Sequence, residues 1–414
     1  MVDNRLSPHG GKLVERILDP KEAPSRIAGL KTVPVKGPTV RECVSIAYGF
    51  FSPLEGFMGR ADVDAVVNKM QLANGYVWSV PIVFDMAQKQ IDEMEIKVGE
   101  SLLLTFEKKP VAILEVDEIF TYDKELMAGK IFGTTETKHP GVKRTYAYAD
   151  HFLAGKITLV SEPVIREPFK RFWKPPAVLR KELAEKGWER TVAHQTRNVP
   201  HTGHEWLMKG AWFASNATGV LVNPVVGEKR VGDYIDEAII LGQDILGKAG
   251  YFREDVHTVA LLFWDMRYAG PREAVFHAMV RKNLGCTHHM FGRDHAGVGD
   301  YYGTYDAHKI FDTIPDVGIY PVLTKEWYYC PVCAGVTYEG LCGHKKAKQK
   351  FSGSLIRSII QDGVKPPRLI FRPEVFDVVM EAAEKYGNGS PFVTERYLAE
   401  SQPVLSMPDV KPSK

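Results

Sequence analysis

The feature that most limits how this chain can fold is a regular alternation of strand and helix patterns from residue 190 to residue 285. RTVAH (190–194) is strand-like and precedes HEWLMKGAWFAS (204–215), where Leu207, Met208, Ala211 and Trp212 recur at helical spacing. GVLVNPVV (219–226) predicts a strand, DYIDEAIILGQDILGKAG (233–250) an amphipathic helix closed by Gly250, and VHTVALLFWDM (256–266) another strand. PREAVFHAMVRKNLG (271–285) reads as a helix with Pro271 at its start and Gly285 at its end. Such alternation predicts an α/β unit, a parallel sheet with helices on both faces. Sheets of this kind bind ligands at the carboxyl ends of their strands.

The flanks differ. The first ~165 residues hold β-type runs, YVWSVPIVFDM (76–86), ESLLLTFEKKPVAILEV (100–116) and GKITLV (155–160), separated by turn residues, which predicts a mostly β domain. A linker and a helix follow, with Pro175 and Pro176 near its start and Gly187 at its end. The expected division is a β-rich domain over 1–168, a catalytic α/β domain over 169–324 and a small segment over 325–414. Formal net charge is +2, so no strong field draws the chain to nucleic acid or membrane. With no signal-like apolar run and no stretch of 18 uninterrupted apolar residues, a cytoplasmic protein is expected.

Two polar stretches fall at the carboxyl ends of predicted strands. In HQTRNVPHTGHEWL (194–207), His201 and His204 are spaced i, i+3 and share one face of a helix start. Asn198 or Thr202 is the expected cap, and free N–H groups beyond it would suit an anion. Arg197 adds a fork of cationic donors, and Gln195 and Asn198 add neutral ones. The set contains donors for oxyanions and no nucleophile paired with a base. The second stretch, GRDHAGVGDYYG (292–303), combines glycines that permit close backbone approach with Arg293 and His295. HxxH alone, or a glycine-rich loop alone, is commonplace; two such loops on one sheet are not. No GxxxxGK[ST] P-loop occurs.

CPVCAGVTYEGLCGH places Cys330, Cys333, Cys342 and His344 in the ligand pattern of a closed tetrahedral zinc site. Four protein ligands leave no position for substrate, so the zinc is expected to be structural. Cys43 and Cys286 read as core residues. PHGG near the N-terminus reads as a structural turn, and the basic runs KHPGVKR (138–144) and GHKKAKQK (343–350) as solvated faces.

QTRNVPHTGH and MRYAGPREAVFHAMVRKNLGCTHHMFGRDHAG strongly resemble the catalytic motifs of the ATP sulfurylase (sulfate adenylyltransferase) family. PHGGKL (8–13), FSPLEGFM (51–58) and FSGSLIRSII (351–360) extend the likeness over nearly the whole chain. Val199 before Pro200 departs from the usual pattern, but the spacing from Arg197 to His201 is kept. The resemblance implies a PUA-like N-terminal domain and a Rossmann-like nucleotidylyltransferase domain; the kinase domain fused in some members is not expected here, since the sequence has no room for it and no P-loop. It also implies the reversible reaction of sulfate with MgATP to give adenosine 5′-phosphosulfate and pyrophosphate, in sulfate assimilation or dissimilation, and a homodimer.

By position, the resemblance gives sulfate to Gln195, Arg197 and the backbone of Ala296, and the reacting phosphates to Thr196, Arg197 and Asn198. It assigns α-phosphate and pyrophosphate charge to His201 and His204, and nucleotide contacts to Gly292, Arg293, Asp294 and His295. Met266 and Arg267 match a mobile loop over the phosphates, although Arg267 also reads as a surface arginine capping the Pro271 helix. Two rivals are weaker. Other nucleotidylyltransferases share HxxH but lack QTRN together with GRDHAG. An RNA-binding reading of a PUA-like domain with a zinc knuckle lacks a dense basic patch.

Overall fold

The computed structural model describes residues 7–350 and 353–413. Phe351 and Ser352 of the FSGSLIRSII stretch lie outside the described residues. The N-terminal region builds a seven-stranded mixed sheet in which His151–Leu159 pairs with Lys109–Glu115, Gly56–Phe57, Phe84–Met86 and Glu118–Phe120. Two expectations need correction here. YVWSVPIVFDM is irregular until Phe84, although Trp78, Val80 and Ile82 are fully buried. Pro81 removes a ladder donor in its middle, so the apolar run fills the core as a loop. The region also carries helices, among them Gly37–Ala47 and Pro140–Tyr146.

The central sheet is parallel throughout. Its order is His257–Val259, Gly219–Val226, Thr191–Thr196, His288–Phe291, Tyr320–Leu323, with Leu262–Phe263 continuing beside Gly219–Val226. Alternation along these strands decides which core each side chain enters. Ala193, Leu221, Val225 and Leu262 pack with the helix Pro271–Asn283 and the N-terminal domain. Val192, Val220, Val222, Val226 and Phe263 pack on the other face, against Asp236–Lys248 and the C-terminal helix Pro373–Tyr386. Both faces are therefore dry, which explains why GVLVNPVV is apolar apart from Asn223, whose buried amide donates to the Ala260 carbonyl at 2.9 Å. Each such Val or Leu contributes roughly 1.5–3 kcal/mol by burial.

The third segment begins as a three-stranded antiparallel ribbon, Trp327–Cys330 between Gly335–Tyr338 and Gln349–Lys350, and its later helices join the core of the central sheet. Leu405–Ser406 pairs with Val164–Ile165, which brings the chain's last strand back to the linker. His9 of the PHGG turn is buried, its N–H donating to Asn283 Oδ1 at 2.8 Å, and Cys43 and Cys286 are buried core residues. KHPGVKR is not simply a solvated face: His139 is buried and Arg144 turns inward, while Lys138 and Lys143 stay exposed. Among the described residues, no helix is long and apolar enough to cross a membrane.

Candidate active site

Strand order reverses at Thr191–Thr196. The chain moves first to Gly219–Val226 on one side, then returns to His288–Phe291 on the other. A crevice opens at the carboxyl ends where the order switches. Both polar loops leave their strands at that crevice. A cavity of about 270 Å³ there is lined by His194, Gln195, His201, His204, Arg293 and His295. Lys325, Glu326 and Trp327 close its far side.

The strand runs as far as Thr196, so Gln195 and Thr196 are positioned by the sheet and Arg197 begins the loop. The Thr196 hydroxyl accepts from the Asn198 N–H at 3.1 Å, a side-chain turn that fixes the corner. Helix Thr202–Ala214 is capped by His201, not by Asn198 or Thr202: His201 Nδ1 accepts from Gly203 N–H at 3.0 Å. His204 Nδ1 in turn accepts from His201 N–H at 3.4 Å, and the two rings stack with centroids 3.8 Å apart. Thr202 instead anchors the helix, its N–H and hydroxyl donating to the carbonyls of Ile370 and Leu369 at 3.0 and 2.6 Å. The fully buried Glu205 completes the anchor through a bidentate pair with Arg372 at 2.8 and 3.0 Å. The first helical N–H groups are thus spent within the protein. Imidazoles present the donors there, in place of a bare helix end.

Because Nδ1 accepts in both rings, each neutral ring carries its proton on Nε2. Burial lowers His204 to about 4 and His194 to about 3. Burial, reinforced by His204 beside it, lowers His201 well below the ordinary imidazole range. Near neutral pH, His201 and His204 are therefore neutral donors, held ready for negative charge by geometry.

Arg197 reaches the Tyr268 hydroxyl and lies 3.5 Å from Asp233. Asn198 Oδ1 accepts from Arg357 Nη2 at 2.7 Å, and its carbonyl accepts from Gln243 at 3.1 Å. Arg357 lies on Gly353–Gln361 and lines a second cavity, of about 300 Å³, with Asn198, His201, His204 and Tyr234. The histidine pair therefore stands between two cavities. Sequence reasoning missed Arg357, although it is the arginine within FSGSLIRSII; it also missed His194, Tyr268 and Trp327. Val199 is buried in the core, so the departure at that position is a packing matter.

The MRYAG loop divides. Met266 Sδ lies 3.4 Å from Gln195 Nε2, beside the cavity. Arg267 is buried away from it, paired with Glu42 of the N-terminal domain at 2.7 Å and packed over Phe276. It is not a surface arginine. Its neighbours are tied to the same domain: Arg41 to Asp265 at 2.7 Å, Arg144 to the Met266 carbonyl at 3.0 Å and His139 to the Tyr268 carbonyl at 3.1 Å. These inward roles explain why KHPGVKR and the Gly37–Ala47 helix carry buried charge.

In the GRDHAG loop, Asp294 and Ala296 take positive φ of 52° and 56°, a conformation that costs non-glycine residues energy and marks a tightly specified turn. A Cβ on Gly292 would meet no protein atom within 4 Å, so packing does not demand glycine there; the cavity it lines supplies the demand. Arg293 lines the cavity and pairs with Asp294 at 2.7 Å and Glu326 at 3.0 Å. The Ala296 carbonyl accepts from Gly270 N–H at 3.0 Å, which fixes that backbone.

Cys330, Cys333, Cys342 and His344 converge, with one ligand atom of each within 4.8 Å of the others. Cys333 N–H and His344 N–H point at Cys330 and Cys342 sulfurs at 3.5 and 3.4 Å, the kind of support thiolate ligands receive. The donor set suits zinc.

Comparison with known proteins agrees with this geometry. The ATP-sulfurylase family model matches residues 170–382 and the PUA-like domain model matches residues 6–162. A sulfate adenylyltransferase of Archaeoglobus fulgidus is 40% identical, covering 94% of each chain. One of Pyrococcus abyssi is 40% identical, covering 90% of this chain and 97% of its own. Among solved structures, a hexameric APS kinase from Thiobacillus denitrificans superposes with a TM-score of 0.70 at 21% identity, over 91% of this chain and 68% of that one, a likeness of fold. Identity at that level, running through both the N-terminal domain and the crevice loops, means that the chain belongs to the ATP-sulfurylase family.

Proposed function

We propose that the crevice transfers the adenylyl group of ATP to sulfate, giving adenosine 5′-phosphosulfate and pyrophosphate in a reversible reaction. The observation that carries this reading is the stacked pair His201 and His204, two neutral Nε2–H donors placed between two cavities. One cavity suits the anion that attacks, the other the phosphates that leave. A sulfate oxygen attacks the α-phosphorus in line; the bond to the α–β bridging oxygen breaks, and pyrophosphate departs with that electron pair. No covalent enzyme intermediate is needed, so positioning and charge stabilisation do the catalysis.

Gln195, Arg197 and the backbone of Ala296 hold sulfate. Thr196, Arg197 and Asn198 align the phosphates, with Arg357 holding the Asn198 side chain in place. His201 and His204 take the charge that grows on the α-phosphate and the departing pyrophosphate. Gly292, Arg293, Asp294 and His295 contact the nucleotide, and Met266 closes on Gln195. Arg267 serves this reading indirectly, by fixing the MRYAG loop to Glu42. Magnesium arrives with ATP and neutralises its phosphates. The cysteine ribbon holds a structural zinc, and the assembly is a homodimer, which light scattering on the purified protein would check.

The direct test is ATP formation from adenosine 5′-phosphosulfate and pyrophosphate with magnesium. Wild type should be active, and His204→Ala should lose roughly two orders of magnitude in turnover, the usual cost of one oxyanion donor. Near-normal turnover in the folded variant would remove His204 from the chemistry. An inactive, well-folded wild type would move the motif to another acceptor.

A further inference from the structure

Three imidazoles converge at the GRDHAG loop, and of these the adenylyl-transfer reading uses only His295. One ring nitrogen each from His277, His289 and His295 lies within 4.8 Å of the others. His277 and His289 are fully buried, and His295 lines the cavity. His289 Nδ1 faces the Ala193 carbonyl at 3.0 Å; since a carbonyl can only accept, that nitrogen carries the proton. Its Nε2 is left as a lone pair, buried with no hydrogen-bond partner. On His277, Nε2 faces outward, 3.5 Å from the fully buried Glu273 carboxylate and 3.4 Å from the Gln195 amide nitrogen, and Nδ1 faces inward. That Nδ1 lies 2.9 Å from His295 Nε2.

The pattern is that of metal-ligating histidines, whose outer nitrogen is tied to a carbonyl or carboxylate while the inner one faces the ion. A buried imidazole lone pair without a partner otherwise costs free energy. We propose that His277, His289 and His295 bind a divalent transition-metal ion of the zinc, cobalt or nickel class, with its open coordination position toward the cavity. Three neutral nitrogens suit such ions better than magnesium, which takes oxygen ligands. The buried Arg281 faces all three rings, and Glu273 opposes its positive charge at His277. The site is separate from the cysteine ribbon, whose ligands are mostly sulfur.

The test uses the full-length protein, stripped with a chelator and titrated with Co²⁺. Cobalt on cysteine gives a near-ultraviolet sulfur-to-metal band; cobalt on imidazoles alone gives visible absorption without it. Wild type should bind one thiolate-free equivalent, which His289→Phe should lose while keeping the thiolate band and thermal midpoint. The proposal is overturned if wild type binds no thiolate-free cobalt, or if folded His289→Phe still binds it. Should His289→Phe not fold, X-ray absorption on the zinc-loaded wild type decides: an imidazole-only zinc environment supports the site, and its absence removes it.

Discussion

The crevice and the cysteine ribbon are both polar clusters, yet they differ in where their bonding capacity points. In the ribbon, four ligand atoms lie on one short segment and face one another, so the cluster is complete within itself once an ion sits inside. In the crevice, donors come from segments as distant as His194, Arg293 and Arg357, and they face open space. Buried polar atoms there, including His194 Nε2, Gln195 Oε1 and Trp327 Nε1, have no protein partner. A cluster that completes itself holds structure together, whereas one left incomplete by the fold awaits a ligand.

That contrast can be broken by experiment. The largest effect is expected for Arg197→Ala, which removes the cationic fork of the loop after Thr191–Thr196 and should lower turnover by roughly 10³-fold, at the upper end for lost transition-state donors. Retained turnover with a raised sulfate requirement would reduce Arg197 to a binding residue. Arg357→Ala should cost less, roughly ten- to hundredfold in kcat/KM, the scale of one charge-assisted hydrogen bond of about 1.5–3 kcal/mol. If steady-state kinetics are unchanged, the contact with Asn198 has no part in alignment.

Acid sharpens the comparison further. His9, His204 and His257 are each lowered to about 4 by burial, so the unfolded chain binds more protons than the folded one below the ordinary imidazole value of 6.5. Their contribution is therefore complete above that value and is lost as pH falls toward 4. Each should cost roughly 1.4 kcal/mol per pH unit across that window. Urea unfolding from pH 7 to 4.5 measures it, and a flat profile would mean the rings are already charged when folded. Chelation should have the smallest effect on turnover. It should lower the melting temperature while leaving kcat of the remaining folded enzyme unchanged; lost turnover at constant stability would make the ribbon part of the chemistry.

Much of this was legible beforehand because it rests on local rules. The central helices and the strands Thr191–Thr196 and Gly219–Val226 follow from periodicity and from Pro271, Gly250 and Gly285 as stops and starts, whereas VHTVALLFWDM splits into His257–Val259 and Leu262–Phe263. The cysteine ligands follow from spacing within one segment. YVWSVPIVFDM misled because an apolar run has the same composition whether it pairs or merely fills a core, and Pro81 tipped it to the latter. The cap at His201 was missed because an imidazole can take the role that Asn198 and Thr202 usually fill.

By itself, then, the sequence determined which strands would be buried on both faces, that their carboxyl ends would carry oxyanion donors, and that a thiolate site would close near residue 340. Tertiary structure alone decided that Arg267 would face Glu42, that Arg357 would reach Asn198 across 159 positions, and that three histidines would meet behind one loop. The reason is physical. Periodicity and capping act within a few residues, whereas the partner of a buried charge or lone pair is whichever group packing brings within about 3 Å.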